Sequence, residues 1–386
     1  MSRSFDNEIV LITGELSGEL HAANLVGRFK GHPEFTFSAV GGKRLAQAGA
    51  RLICDYRDIS LTGVSEIFSR LPHILRAFSV VKKYIRQNKP ALVVLVDFPG
   101  FNLRIARFAK RSGIPVVYFI PPQIWAWRKN RIRVIKKYVD RVICILPFEK
   151  RLYDSYGIDA LYVGHPFIDT VRPSLSRDEF LKVIGKNEGN PVITIMPGSR
   201  ENEIKKHLPV LIDTVNIMKK NLPEMITVLP LAENIQEEML APFKEGLNKI
   251  VLVKNHAYDA LAHCDAAIVA SGSVTLEAAI LKAPTIVIYR ISPLSYFIAK
   301  MLVKTDFISL PNIIAEREVF PEFIQDLDPE KIAERALYMV HNGKQEIRKG
   351  IEGITGELNK HNAYENARDG IVEFLEERYG ALSQTP

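Results

Sequence analysis

The feature that most constrains this chain is its rhythm. Short runs of apolar, branched residues alternate with longer helical patterns from about residue 9 to residue 289. In the first half the runs are IVLIT (9–13), FTFSAV (35–40), RLICD (51–55), ALVVLV (91–96), PVVYFI (115–120) and RVICIL (141–146). In the second they are PVITIM (191–196), EMITVLP (224–230), KIVLVK (249–254), DAAIVA (265–270) and PTIVIY (284–289). Runs that are apolar throughout suit strands buried on both faces of a parallel sheet. Helical patterns such as 99–113, 201–220 and 272–282 supply the crossovers. This alternation predicts an α/β, doubly wound architecture.

The rhythm pauses once, over GHPFIDTVRPSLSR (164–177), where two prolines mark a linker. A chain of 386 residues is about two domains long. The simplest assembly is two Rossmann-like domains, 1–168 and 169–344, facing each other across an interdomain cleft. Beyond about residue 328 the pattern is helical and charged, with no further strand expected.

Composition excludes several classes. Hydrophobic residues at 47% and charged residues at 25% rule out a disordered chain, a collagen and a disulfide scaffold. A net charge of +7, from 51 basic and 44 acidic side chains, is too mild for a whole-surface nucleic-acid binder. Cys54, Cys144 and Cys264 form no metal-binding spacing and read as reduced core thiols. The N-terminus MSRSFDNEIVLITGE has no signal-peptide pattern, and no apolar stretch reaches the length of a membrane span. The expectation is a cytoplasmic protein, or one that rests on a membrane without crossing it.

Ligands in doubly wound sheets sit at the carboxyl ends of strands, so candidate residues lie there. The first strand runs into Gly14-Glu15-Leu16-Ser17-Gly18-Glu19, a tight turn that leaves backbone N–H groups free at a helix start. It is not GxGxxG, and the second strand ends Gly41-Gly42-Lys43 without the acid a dinucleotide ribose needs, so no nicotinamide cofactor is expected. The fourth strand ends in Asp97-Phe98-Pro99-Gly100-Phe101-Asn102. Asp97 suits a general base or a ligand for a sugar hydroxyl, and equally a helix cap.

In the second half, PVITIM ends in Pro197-Gly198-Ser199-Arg200. Gly and Ser open the backbone to an anion, and Arg200 offers a bidentate contact to phosphate oxygens. The turn lacks the lysine and length of a Walker A loop, which disfavours an ATPase. DAAIVA ends in Ser271-Gly272-Ser273, with Glu277 further along the following helix, placed to meet ribose hydroxyls. Two such turns in one domain suggest a nucleoside diphosphate. Downstream, Asn312 and Glu316 lie in SLPN and AERE; Asn312 suits either a cap or a phosphate donor. A serine hydrolase is disfavoured, because Ser273 lacks the glycine of a GxSxG elbow; His21 and His165 read as structural or surface residues.

Two features point to lipid. In residues 63–83, Val64, Ile67, Phe68, Leu71, Ile74, Leu75 and Phe78 form a broad apolar stripe at helical spacing, flanked by basic residues and interrupted by Pro72. It reads as a helix packed on its own sheet, or as a surface that dips into anionic lipid. Trp125 and Trp127 are the only tryptophans, and six of the ten residues from Arg128 to Lys137 are basic. That segment suits a phosphorylated, membrane-bound substrate, with a solvated helix face as the alternative.

Taken in order, GELSGELHAANL, DFPGFN, PPQIWAWR, LPFEKRLYDSYG, GHPFID, PGSRENEI, ASGSVTLEA and YRISPLSYFIAKMLVKTDFISLPNIIAERE resemble the lipid-A-disaccharide synthases, from about residue 8 to about 343. The resemblance implies an inverting glycosyltransferase of GT-B fold on the cytoplasmic face of a Gram-negative inner membrane. It implies UDP-2,3-diacylglucosamine as donor, 2,3-diacylglucosamine 1-phosphate as acceptor, and no metal or other cofactor. Asp97 would be the base for the acceptor hydroxyl. Ser199, Arg200, Ser271, Gly272, Ser273, Glu277, Asn312 and Glu316 would serve the UDP donor. Gly14, Glu15, Ser17, Gly18, Trp125, Trp127 and Arg128 would lie on the acceptor side. Gly100 stands where an acidic residue is expected, leaving Asp97 as the only acid in its segment. Helices from about 345 to 386 would pack back on the first domain, and the resemblance admits a homodimer. The alternatives are another UDP-N-acetylglucosamine enzyme of this fold, a 2-epimerase or a peptidoglycan glycosyltransferase, and a non-catalytic lipid-binding protein.

Overall fold

A computed structural model describes residues 7–58, 67–125, 130–185, 189–232, 235, 237–292, 296 and 306–380. The chain divides into two compact units, Met1–Pro166 with Lys360–Pro386, and Phe167–Asn359. Each unit is built on one parallel sheet.

The first sheet holds β1 (Glu8–Ile12), β2 (Thr36–Gly41), β3 (Arg51–Asp55), β4 (Leu92–Val96), β5 (Val116–Phe119), β6 (Arg141–Cys144) and β7 (Ala160–Tyr162), in the order β3-β2-β1-β4-β5-β6-β7. The second holds β8 (Val192–Met196), β9 (Ile226–Leu231), β10 (Ile250–Lys254), β11 (Ala266–Ala270), β12 (Thr285–Tyr289) and β13 (Glu322–Ile324), in the order β10-β9-β8-β11-β12-β13. The eleven expected runs are all strands; β7 and β13, three residues each, are additional. Both sheets begin in the middle and wind outwards in the two directions. The strand order therefore reverses between β1 and β4 in one unit, and between β8 and β11 in the other. Such switch points open a crevice at the strand ends.

Why the runs are apolar is visible in the packing. β1, β4 and β11 are buried at every position. In the first unit one core layer joins Val10, Val93 and Leu95 to Ala77, Val81 and Ile85 of the helix Ile67–Asn88. The opposite layer joins Ile9, Leu11 and Val94 to Leu25 and Val26 of the helix Leu16–Gly27. Each fully buried Val, Leu or Ile stabilises by roughly 1.5–3 kcal/mol.

Ala367, Ile371, Phe374 and Leu375 of the helix Ala363–Tyr379 complete that second layer. The return to the first unit comes later than the expected residue 345. The helix Lys344–Glu357 stays in the second unit, where Ile351 and Ile354 are buried. Its own apolar face holds it there.

The helix Ile67–Asn88 runs through Pro72 without a break, although the sequence suggests an interruption there. Pro72 has no N–H to give the helical ladder, and the helix carries on past it. No helix among the described residues is long and apolar enough to cross a membrane.

Candidate active site

At the switch point of the first sheet, Ile12 of β1 pairs with Leu95 of β4. Two residues on, Asp97 and Phe98 have φ of +49° and +45°, both left-handed and neither glycine. That conformation costs roughly 1–2 kcal/mol per residue, so it needs support. The buried Asn102 amide supplies it, donating to the Asp97 carbonyl at 2.7 Å and to the Val96 carbonyl at 3.1 Å. The buried Tyr118 hydroxyl donates to the same Asp97 carbonyl at 2.7 Å. The Asp97 N–H reaches the Ile120 carbonyl at 3.2 Å.

The turn also explains Gly14. A Cβ there would stand 2.1 Å from Cγ of the Phe98 ring, so only glycine fits. A Cβ on Gly18 would lie 3.9 Å from that of Asp97. The first glycine turn and the aspartate are thus one site at one switch point. The N-cap of the helix Pro99–Arg111 is Phe98, so Asp97 is not the cap. Asp97 is half-buried, and burial holds its carboxyl above the usual range while the Phe98 N–H pulls it partly back. A poorly solvated carboxylate of this kind is a stronger base near neutrality.

Around it, Glu15 and Ser17 are exposed at the helix start. Glu19 is buried and caps a second helix, accepting from the N–H groups of Arg44 at 2.9 Å and Leu45 at 3.4 Å. Trp125 packs edge-on against Phe148 at 5.2 Å and donates from Nε1 to Glu149 at 3.2 Å. Burial pushes the Glu149 carboxyl up to about 8. Trp127 and Arg128 lie outside the described residues. His21 bonds Tyr364 at 2.9 Å, and burial lowers it to about 4; His165 is lowered to about 3 by burial and by His21.

At the second switch point Met196 of β8 pairs with Val269 of β11. The Pro197–Arg200 and Ser271–Ser273 turns therefore leave neighbouring strand ends. Gly198 has φ +109°, which glycine permits. Ser199 and Arg200 are exposed, the Arg200 side chain at 82%. Gly272 and Ser273 are exposed, and Gly272 is the N-cap of the helix Ser273–Ile280. Glu277 lies on that helix, and burial pushes its carboxyl up to about 7.

Two residues unmarked by the sequence hold this site. Glu203 accepts from the N–H groups of Ser199 at 3.1 Å and Arg200 at 3.2 Å. His207, fully buried, bonds the Pro197 carbonyl through Nδ1 at 2.8 Å and accepts the Arg290 N–H on Nε2 at 3.0 Å. Nδ1 therefore carries the proton, and burial lowers the His207 pKa. Nothing in the sequence separates His207 from any histidine on an apolar helix face.

Asn312 corrects an expectation. It is fully buried, and its amide donates to Phe320 O at 2.7 Å and Glu322 at 2.9 Å. Its oxygen accepts from the N–H groups of Val319 and Phe320, both at 2.8 Å. All four bonding positions of the amide are used, so Asn312 shapes the segment and has no capacity left for a phosphate. Glu316 is exposed, with φ +53° at the end of the helix Leu310–Ala315.

The apolar stripe is divided. Val64 lies outside the described residues, and the structure defines only the backbone of Ile67 and Phe68. Ile74 and Phe78 pack on the core, whereas Leu71 and Leu75 are 44% and 54% exposed. The stripe is wider than the sheet can cover, so its margin stays in solvent. Leu16 and Leu20, at the start of the first helix, are also exposed, at 57% and 41%. Their i,i+4 spacing is the signal the sequence offered.

Two parallel Rossmann-order sheets, with polar turns gathered at both switch points, define a two-domain α/β protein of the GT-B kind. Solved structures agree on that fold: S. aureus MnaA, in a co-structure with UDP, has a TM-score of 0.63 at 14% identity over 98% of this chain and 99% of that one. The calicheamicin glycosyltransferase CalG4 has a TM-score of 0.61 at 14% identity over 97% of this chain and 99% of that one. The chain belongs to the lipid-A-disaccharide synthetase family, whose model matches residues 9–372. A lipid-A-disaccharide synthase of Syntrophus aciditrophicus is 42% identical over 351 residues, 89% of this chain and 90% of that protein. One of Myxococcus xanthus is 37% identical over 372 residues, 95% of this chain and 97% of that protein. The chain is accordingly an enzyme, a glycosyltransferase.

Proposed function

We propose that the enzyme transfers 2,3-diacylglucosamine from its UDP derivative to the 6-hydroxyl of 2,3-diacylglucosamine 1-phosphate. The products are a β(1→6) disaccharide 1-phosphate and UDP. The acceptor oxygen attacks the anomeric carbon, the bond to the UDP phosphate oxygen breaks on the opposite face, and the hydroxyl proton passes to Asp97. What supports the reading is a desolvated carboxylate at the switch point of one unit and polar glycine turns at the switch point of the other, in a chain of this family. Asp97 is held in place by Asn102 and Tyr118. Negative charge growing on the leaving diphosphate is met by Arg200, the Ser199 N–H and the Ser271–Ser273 turn, whose donors are fixed before reaction. Glu277 accepts from the ribose hydroxyls.

The acceptor side comprises the Gly14–Gly18 turn and Trp125. Both substrates carry acyl chains, so the protein works at the cytoplasmic surface of a Gram-negative inner membrane. Leu16, Leu20, Leu71 and Leu75 support this. Helices that follow parallel strands start at the carboxyl edge of the sheet, so the N-terminal turns bearing these leucines lie at the edge of the site. Basic residues beside them, among them Arg76 and Lys83, suit anionic lipid.

The deciding experiment is disaccharide formation from defined acylated donor and acceptor without added metal. UDP release must require the diacylated 1-phosphate acceptor; release without it removes the assignment. In the same preparation, Leu71→Ser with Leu75→Ser should lower co-sedimentation with anionic vesicles at unchanged melting temperature.

A further inference from the structure

The donors of the Pro197–Arg200 turn are already engaged by a carboxylate of the chain itself. Glu203 Oε2 accepts from the Ser199 N–H at 3.1 Å and the Arg200 N–H at 3.2 Å, and its Oε1 accepts from Arg200 Nη1 at 2.9 Å. A glutamate at the third position of a helix ordinarily returns only to the N-cap N–H. This one also gathers the preceding N–H and the guanidinium. Three donors converging on one carboxylate are the set that a phosphate oxygen cluster uses. The carboxylate lies directly over the turn, since a Cβ on Gly198 would stand 2.3 Å from Oε2.

We propose that Glu203 is a built-in counter-anion for this turn, a placeholder that the diphosphate of the donor displaces. The proposal rests on the reading of the turn as the donor phosphate site. The Arg200 side chain is 82% exposed and that of Glu203 only 20%. The arginine faces solvent, where a ligand can meet it, while the carboxylate is confined beside the backbone. An ion pair whose arginine is this exposed is weak, so a ligand with more charge and more oxygens can replace it when it also takes over the two backbone N–H groups. Until then the turn keeps its shape and its positive field is neutralised. The consequence is selectivity: ligands that reach the turn must outcompete Glu203, and ligands that stop at the nucleoside are indifferent to it.

The test is isothermal titration calorimetry of the full chain with UDP and with uridine. The proteins are wild type, Glu203→Gln, Glu203→Ala and Arg200→Ala, with melting temperatures taken in parallel. Removing the competing charge should tighten UDP binding about two- to tenfold and leave uridine unchanged. The proposal is overturned if UDP weakens in both Glu203 variants while they remain folded, because Glu203 would then be a clamp and not a competitor. Equal gains for UDP and uridine, or no change at all, also overturn it. Arg200→Ala separates the underlying reading: UDP affinity equal to wild type there would remove the donor-phosphate assignment itself.

Discussion

Two turns leave two switch points, and they are built in opposite ways. The Asp97–Phe98 turn puts two non-glycine residues in the left-handed region and holds them from beneath with Asn102 and Tyr118, both fully buried. The Pro197–Arg200 turn places a glycine at its left-handed position, and its serine and arginine face solvent. One stores strain to aim a single desolvated carboxylate. The other needs no such strain at its glycine, and its N–H groups and solvent-facing arginine are gathered by one carboxylate, Glu203. The difference matches the two tasks. A base needs a fixed position and a shifted pKa, whereas a charged leaving group needs several donors and room to enter and leave.

The sharpest way to break this contrast is to remove the chemistry from each turn in turn. Asp97→Asn keeps the shape and the backbone bonds but abolishes proton acceptance, and kcat should fall about 10²–10⁴-fold with little change in donor KM. Arg200→Ala should lower kcat about 10²–10³-fold and also raise donor KM, since the arginine serves both ground state and transition state. Steady-state kinetics with both substrates varied checks the pair. Loss of donor affinity on Asp97→Asn, with kcat spared, would reverse the assignment.

The same contrast governs what the sequence disclosed. Both turns were visible as punctuation at the ends of apolar runs, because strand burial and glycine placement are local. Gly14 was legible as a turn glycine, but its reason, the Phe98 ring against it, joins two strands more than eighty residues apart. The support for Asp97 was invisible for the same reason: Asn102 and Tyr118 read as a helix residue and a strand residue. Asn312 misled because an amide in a ligand-rich motif looks the same whether its bonds go to a phosphate or to the chain. The short strands β7 and β13 carry too few residues for periodicity to register. The late return of the chain at Lys360 depends on which unit the face of the helix Lys344–Glu357 finds.

A smaller effect sharpens the strain argument. Asn102→Leu keeps the branched shape and removes the donor to the Asp97 and Val96 carbonyls, leaving Tyr118 as the side-chain donor to the Asp97 carbonyl. Stability should drop by about 1–3 kcal/mol, and kcat should fall about tenfold or more as the carboxylate loses its aim. Tyr118→Phe removes one bond to the same carbonyl and should cost about 1 kcal/mol. Thermal melts with kinetics at saturating donor check both. Donor KM should stay fixed in each variant, since both residues act on the Asp97 turn. An Asn102→Leu enzyme that is destabilised but fully active would show that the turn needs no strain-bearing support for catalysis.

The smallest expected effect is a pH response confined to the second switch point. Burial raises the Glu277 carboxyl from 4.5 to about 7 in the folded chain. A carboxyl raised by folding stabilises the fold most when protonated. That contribution is complete below about 4.5 and is lost as pH rises through about 7. Ribose binding has the opposite sign, because only the ionised carboxylate accepts from both hydroxyls. Uridine affinity should therefore rise between pH 6 and 8 while the Glu277 share of stability falls, and uridine adds no titrating phosphate of its own. Glu277→Gln should flatten both slopes together. If only the stability slope flattens, Glu277 is a buried acid of the helix Ser273–Ile280 and the ribose is held elsewhere.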